Sequence, residues 1–452
     1  VSKKTTLTLK NLTEDMFGIK AGIYGGSRAE STGVSIEDGD TEINISNSYL
    51  YADVYGVGRS SGAGSILKAG KSKITVSNTS VSGYENTGTT WTGRIFGAGY
   101  IRGGSLYEQK STEVVINNVI GVTYDKESEE ISNSEGARVY GGGYNFKDGT
   151  EDKAQLKVGS TSVTINGKDT ALAEVHGGSL TANTYNKGTA VTGKTDVTIN
   201  DGKIVNYVIG GNNSNWNGYS VIGNEVESES GNLYVNGKRY TDGSTNITIN
   251  GGDMSTAQVI GGSLTDYAGY YESKDKVIHD AIVYGTTNID VKGGKLGLLI
   301  GGGKAEYSNT EAPESSSPEV YPTTSNVIGT TNINITGGNL LENIIGGGYA
   351  YSNQKYVGST ANVTGTTNIN ISGGTISGDI YGGGYAYGKT TEANVIGDTN
   401  ITISGGDIQG NIYAGGLSKD GGTADVTGNA TVTFLNGSNL DGSNHVYGLI
   451  KN

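Results

Sequence analysis

The sequence predicts an all-β fold, a right-handed parallel β-solenoid (β-helix) of about twelve rungs with irregular loop and hairpin insertions. Three observations carry that prediction. The stretch NVTGTTNINISGGTISGDIYGGG at 362–384 is written again as NVIGDTNITISGGDIQGNIYAGG at 394–416, and near-repetition of this kind marks a stack of like units. The 452 residues include 77 glycines and only 3 prolines. The sparse Ile, Val and Leu recur at fixed offsets from glycine pairs, which a disordered chain has no reason to maintain.

Each unit opens with Thr-x-Ile-x-Ile, as at 367–371 and 399–403. Strict alternation places the aliphatic residues on one face of a strand and Asn or Thr on the other. A glycine pair follows (Gly337 and Gly338, Gly373 and Gly374, Gly405 and Gly406), which suits a corner with positive φ. A second short run then ends in an aliphatic residue, a large residue and glycines, as in Ile380, Tyr381 and Gly382. Its aliphatic position can be followed through the chain as Ile23, Val54, Ile95, Val139, Val175, Val208, Val259, Leu299, Ile344, Ile380, Ile412 and Val446. A third run, such as 393–396, leads into the next Thr-x-Ile.

Stacked in parallel about 4.8 Å apart, such units bury one continuous apolar stripe in a rod core on the order of 55 Å long. Right-handed winding follows from the preference of parallel crossovers. A propeller is the rival, but its blades need four strands where these units offer three. Residues 1–26 read as an N-terminal strand, a candidate cap and the first rung, and 27–452 as one continuous solenoid with insertions near 212–243, 264–284 and 304–328. Asn236 and Gly237 between β-prone residues signal a hairpin. Pro313, Pro318 and Pro322 mark an acidic surface loop.

A net charge of −13 disfavours a phosphate backbone, so nucleic acid is not an expected partner. No run approaches the roughly 18 apolar residues of a membrane span. The start VSKKTTLTLK lacks the apolar core of a signal peptide and reads as a mature chain or an excised fragment. With no cysteine there are no disulfides and no thiolate metal sites.

The motif GGxIxGxIYGGG followed by VxGxTNIxI is clearest over about residues 190–448. In it the chain resembles bacterial secreted and cell-surface β-strand-repeat proteins, of the adhesin and autotransporter-passenger type with a pectin-lyase-like parallel β-helix. The resemblance implies that fold and an extracellular or cell-surface location, and it carries no particular ligand.

Enzymes on parallel β-helices set carboxylates from adjacent rungs on one exposed face. Here the outward row of the first run reads Glu42, Lys73, Glu113, Ser162, Asp196 and then mostly Asn, so no two neighbouring units supply an acid pair. The second run differs. The residue before its aliphatic position is Asp53, Arg94, Arg138 and Glu174 in successive units, and two residues later stand Tyr55, Phe96, Tyr140 and His176. These eight form either a charge ladder that satisfies itself or a ligand subsite, with Arg forks for carboxylate or sulfate and rings for stacking. The acidic run EDGDTE at 37–42 is the one Ca²⁺ candidate, without EF-hand spacing, and no cofactor is otherwise expected. The resulting expectation is a non-enzymatic extracellular rod presenting loops for adhesion, to glycan or to a host or matrix surface. The alternatives are a polysaccharide lyase or hydrolase and a subunit that stacks head to tail into filaments.

Overall fold

The computed structural model describes residues 4–13, 22–81, 84–86, 89–91, 93–102, 106–121, 136–146, 155–182, 188–215, 219–226, 232–233, 239–267, 279–308, 323–353, 357–435, 439–440 and 445–447. Among these residues there is no helix. Two long parallel sheets dominate, of 33 and 11 strands, an architecture compatible with a β-solenoid.

The first sheet carries the register read from the sequence. Each aliphatic position of the second run lies beside the next in parallel pairing, from Ile23 and Val54 through Val139 and Val175 to Ile412 and Val446. The Thr-x-Ile-x-Ile strands pair likewise, for example Ile333 with Ile369 and Ile369 with Ile401. Aliphatic side chains from both runs, and from the second residue after the glycine pair, fill one core that includes Ile43, Val54, Ile369, Ile376 and Ile380. Each such burial stabilises by about 1.5–3 kcal/mol.

The leading Thr of most units is buried and faces this core, as at Thr195, Thr245, Thr331, Thr367 and Thr399. Thr367 Oγ1 donates to the Gly382 carbonyl at 2.6 Å, and Thr331, Thr245 and Thr195 do the same to Gly346, Gly261 and Gly210. The motif therefore begins with a hydroxyl because the corner carbonyl it meets is buried. Glycine at that corner allows close approach: a Cβ on Gly346 would lie 2.5 Å from the Gly382 carbonyl oxygen of the adjoining rung.

At the other corner the second glycine of the pair has positive φ, 94° at Gly338, 89° at Gly374 and 91° at Gly406. The strand Thr367–Ile376 runs through its glycine pair, with register irregularities on both sides, so this turn is a bulge within a strand. In the first part of the chain Asn47, Asn78 and Asn118 turn the corner at φ of 50°, 48° and 50°.

The second sheet consists of short strands just past the glycine clusters, from Arg28–Ala29 and Arg59–Ser60 to Tyr385–Tyr387 and Leu417–Lys419. The three runs read from the sequence do not include these strands, which the structure adds. Small residues such as Thr181, Ala305, Ala350 and Ala386 point from it into the interior. Strands within or at the edges of the insertion segments join both sheets. Leu264–Tyr267, Lys304–Tyr307 and Asn213–Asn215 belong to the second sheet, while His279–Val291 and Thr323–Thr324 belong to the first.

The expected hairpin has its flanks, since Asn232–Leu233 pairs antiparallel with Arg239–Thr241, while Asn236, Gly237 and all three prolines lie outside the described residues. An antiparallel pair between Tyr84–Asn86 and Thr89–Trp91 was not anticipated. At the start of the chain, Thr5–Lys10 is an ordinary strand of the ladder, paired in parallel with Thr41–Ser46. Residues 14–21, part of the candidate cap, lie outside the described set.

Candidate functional site

A glycine corner joins each second-run strand to its second-sheet strand, and side chains on the outer faces of the two meet. Tyr55 lies 5.7 Å from Tyr100 between ring centroids, and Arg94 sits 4.6 Å over the Tyr144 ring. These contacts trace a line along the stack where the outer faces of the two strands pack together, called the furrow below. The large residue of the second run forms its floor. The residue four positions later, as in Phe96 and Tyr100 or Tyr381 and Tyr385, forms a wall.

All eight residues proposed from sequence stand in this furrow, in register. Arg94 pairs with Arg138 and Arg138 with Glu174, while Phe96, Tyr140 and His176 follow one another as neighbours. The Arg94 backbone N–H and Nε donate to Asp53 Oδ1 at 3.0 and 3.1 Å, and Nη2 to Oδ2 at 2.6 Å. This pair is mostly enclosed, with side-chain exposures of 12% and 11%. Burial works against the Arg94 charge, but the Asp53 carboxylate outweighs it and holds the guanidinium above its ordinary value.

Arg138 Nε lies 3.2 Å from Glu174 Oε1, and His176 Nε2 hydrogen-bonds Glu174 Oε2 at 2.8 Å. Burial alone would raise Glu174. The hydrogen bond with His176 and the Arg138 charge reverse that and hold it below the usual carboxylate range. Burial lowers His176, despite Glu174, so the imidazole is kept neutral.

The rings are not the open stacking platforms that a sugar subsite requires. Phe96, Tyr140 and His176 are fully buried, and successive centroids along Tyr24, Tyr55, Phe96, Tyr140 and His176 are 4.9, 5.1, 4.8 and 4.4 Å apart. Ring faces at such spacing are occupied by each other. What this part of the furrow offers a ligand is the partly exposed Arg138 and the rim of Arg59, Tyr100 and Arg102.

Farther along, the floor becomes Ile209, Ile260, Ile300 and Ile345, and then tyrosine again. Tyr349 stacks on Tyr385 at 4.8 Å, Tyr351 on Tyr387 at 5.2 Å and Tyr381 on Tyr413 at 4.8 Å. Between these stretches lie Tyr207, Asp266, Lys304 and Glu306, which sequence reasoning missed. The signal that finds Lys304, the wall position, is its fixed offset of four from the floor, which also selects Tyr144 and Tyr385; Asp266 and Glu306 stand two residues beyond that wall row.

On the outward face of the first run, amides form a ladder in which Asn332, Asn368 and Asn400 Nδ2 donate in turn to the preceding Oδ1 at 2.9, 2.9 and 3.1 Å. The Ca²⁺ candidate at 37–42 does not assemble. Asp38 accepts from the Ser27 N–H and hydroxyl, Asp40 from the Lys71 N–H, and Glu42 pairs with Lys4. No three Asp, Glu, His or Cys side chains converge for a metal among the described residues. Among them, too, no helix is long and apolar enough to cross a membrane. Comparison of the chain with protein-family profiles, curated proteins and solved structures gives no match.

Proposed function

We propose that the chain is a non-enzymatic extracellular or cell-surface rod, a right-handed solenoid of about twelve rungs that presents its furrow and loops to a glycan or to a host or matrix surface. The observation that carries this reading is the unbroken succession of parallel neighbours from Ile23 to Val446, which suits a spacer more than a pocket. The furrow charges nearest a candidate subsite are committed to one another: Asp53 to Arg94, and Glu174 to Arg138 and His176. The likeness of its repeat to bacterial adhesins and autotransporter passengers points the same way.

Incubation with a panel of acidic and neutral polysaccharides tests the proposal. No new reducing ends and no unsaturated products are expected. Turnover that disappears in Arg94→Ala or Arg138→Ala would overturn it in favour of a lyase or hydrolase. A glycan array read with the same chain then identifies the surface, with binding expected to weaken in Arg138→Ala.

A further inference from the structure

Midway along the furrow several groups meet that the rod reading does not use. Lys304 Nζ stands 5.3 Å from the Tyr207 ring centroid and 5.6 Å from that of Tyr349. The lysine side chain is only 3% exposed, and its charge is taken by Glu306 at 2.6 Å. Asp266 is the ladder neighbour of Glu306, and its carboxylate receives no hydrogen bond among the described residues.

Two further acceptors stand in the same stretch. Asn213 Oδ1 and Gln258 Oε1 are buried without a partner among the described residues, and Asn213 is 4% exposed. Asn213 adjoins Leu264 in the wall row that continues to Lys304, and Gln258 adjoins Tyr207 on the opposite side. Buried acceptors left unmet cost about 1–3 kcal/mol each, so a donor supplied from outside is favoured here. Every buried unmet side-chain atom at this station, among the described residues, is an acceptor, and its one ammonium is already paired.

A ligand that completes the station therefore brings N–H donors and positive charge. A hard divalent cation is a poor fit, because it needs about six to eight oxygen ligands and no three acids converge here among the described residues. We infer that this stretch of the furrow binds a primary ammonium group, carried by a small amine or by an amino-sugar residue, with Asp266 as its counter-ion, Asn213 and Gln258 as acceptors and the Tyr207 ring alongside.

Asp266 is pushed up to about 6, first by burial and then by the Glu306 charge, with Lys304 opposing and Glu174 adding to the rise. The other ionisable groups against this station are Tyr207 and Tyr349, both raised first by burial. An ammonium binds the ionised carboxylate, so affinity should be full near pH 7.5 and fall by roughly tenfold per pH unit once Asp266 is protonated.

Calorimetric titration tests the inference with three probes: cadaverine, a glucosamine tetramer and its fully N-acetylated counterpart. Both amines should bind at pH 7.5 and the acetylated sugar should not. Cadaverine alone binding would assign the site to small amines, and both binding would admit amino sugars. Affinity for cadaverine, which stays fully charged throughout, should drop at least tenfold at pH 5, in Asp266→Asn at pH 7.5, and more modestly in Asn213→Leu, with circular dichroism reporting the fold of each variant. Should Asp266→Asn fail to fold, the pH series on the unaltered chain decides, since equal affinity at pH 5 and 7.5 overturns the inference. It is equally overturned if neither amine binds, or if Asp266→Asn binds them unchanged. If the acetylated tetramer binds as tightly as the amine form, the ammonium site is wrong while a glycan-facing furrow stands.

Discussion

Residues 4–182 and 331–435 solve the same packing problem with different outer chemistry. Inside they match: Val54 and Ile95 occupy the core positions of Ile344 and Ile380, and Thr112 meets the Gly141 carbonyl as Thr367 meets that of Gly382. Outside they diverge. The first region turns its corner on left-handed Asn47, Asn78 and Asn118, and it runs an ion ladder through Lys4, Glu42, Lys73 and Glu113. The second turns on Gly338, Gly374 and Gly406 and runs the amide ladder of Asn332, Asn368 and Asn400. The register is thus held by a few buried residues per unit, and the outer rows are free to carry either charge or amides without disturbing it.

If the cores are equivalent, truncating them should cost the same. Ile95→Ala and Ile380→Ala are each expected to lose about 2–5 kcal/mol in denaturant unfolding, and a large inequality would show that the two interiors are packed differently.

The furrow should distinguish the regions instead. Asp53 and Asp379 hold the same position, each accepting the next unit's backbone N–H, from Arg94 at 3.0 Å and from Asn411 at 2.7 Å. Each also accepts from a tyrosine hydroxyl, Tyr55 at 3.1 Å and Tyr381 at 3.2 Å. Asparagine keeps an acceptor at both places, so Asp379→Asn should cost less than about 1 kcal/mol. Asp53→Asn also strips the counter-charge from a largely buried arginine and should cost about 3 kcal/mol. Equal losses at the two sites would dissolve the contrast.

A smaller effect, about 1–3 kcal/mol, is expected for Thr112→Val and for Thr367→Val, because each leaves a corner carbonyl without its hydroxyl donor. Thermal unfolding of both variants checks whether the buried hydroxyl serves both regions alike.

The smallest expected effect is in pH. Glu174 is held below its ordinary value, so its contribution is full above the usual carboxylate range and is lost as pH falls through the lowered value. His176, lowered by burial, acts in the same direction, losing stability as pH falls below the imidazole's ordinary value. Asp266, pushed up to about 6, has the opposite sign: its ionisation weakens the fold as pH rises from the ordinary carboxylate value to about 6. Asp266→Asn should therefore be more stable than the parent at pH 7 and indistinguishable from it at pH 3.5. Denaturant midpoints at the two pH values measure it, and a variant weaker than the parent at pH 7 would reverse the sign argued here.

The ladder was legible because Ile, Val and Leu at fixed offsets from glycine can only mean a repeated buried face. It faded before about residue 190 because Asn47, Asn78 and Asn118 do there what glycine pairs do later, and asparagine is too common to read as a corner. The second sheet was hidden for a different reason. Its strands run two to four residues, and its inward positions are filled by Ala350, Ala386, Thr181 and Asn145, which carry no hydrophobic signal. The stacking order of Asp53, Arg94, Arg138 and Glu174 was readable from one strand alone. The burial of Phe96 and Tyr140 was not, because it depends on Tyr100 and Tyr144 closing over them from the unseen sheet. Asp266 and Glu306 escaped notice because they lie in that same sheet.

The central claim is one parallel register running through both regions, and paired cysteines in a chain that has none test it most directly. Ser162 faces Asp196 in the first region's ladder, and Asn332 faces Asn368 in the second's. Neighbouring rungs about 4.8 Å apart fall within the span of a disulfide, whereas two rungs do not. Ser162→Cys with Asp196→Cys, and Asn332→Cys with Asn368→Cys, should both cross-link within a monomer under mild oxidation. Asn332→Cys with Asn400→Cys should not. Cross-linking of that last pair, or failure of the Ser162 and Asp196 pair while the other succeeds, would contradict a single register.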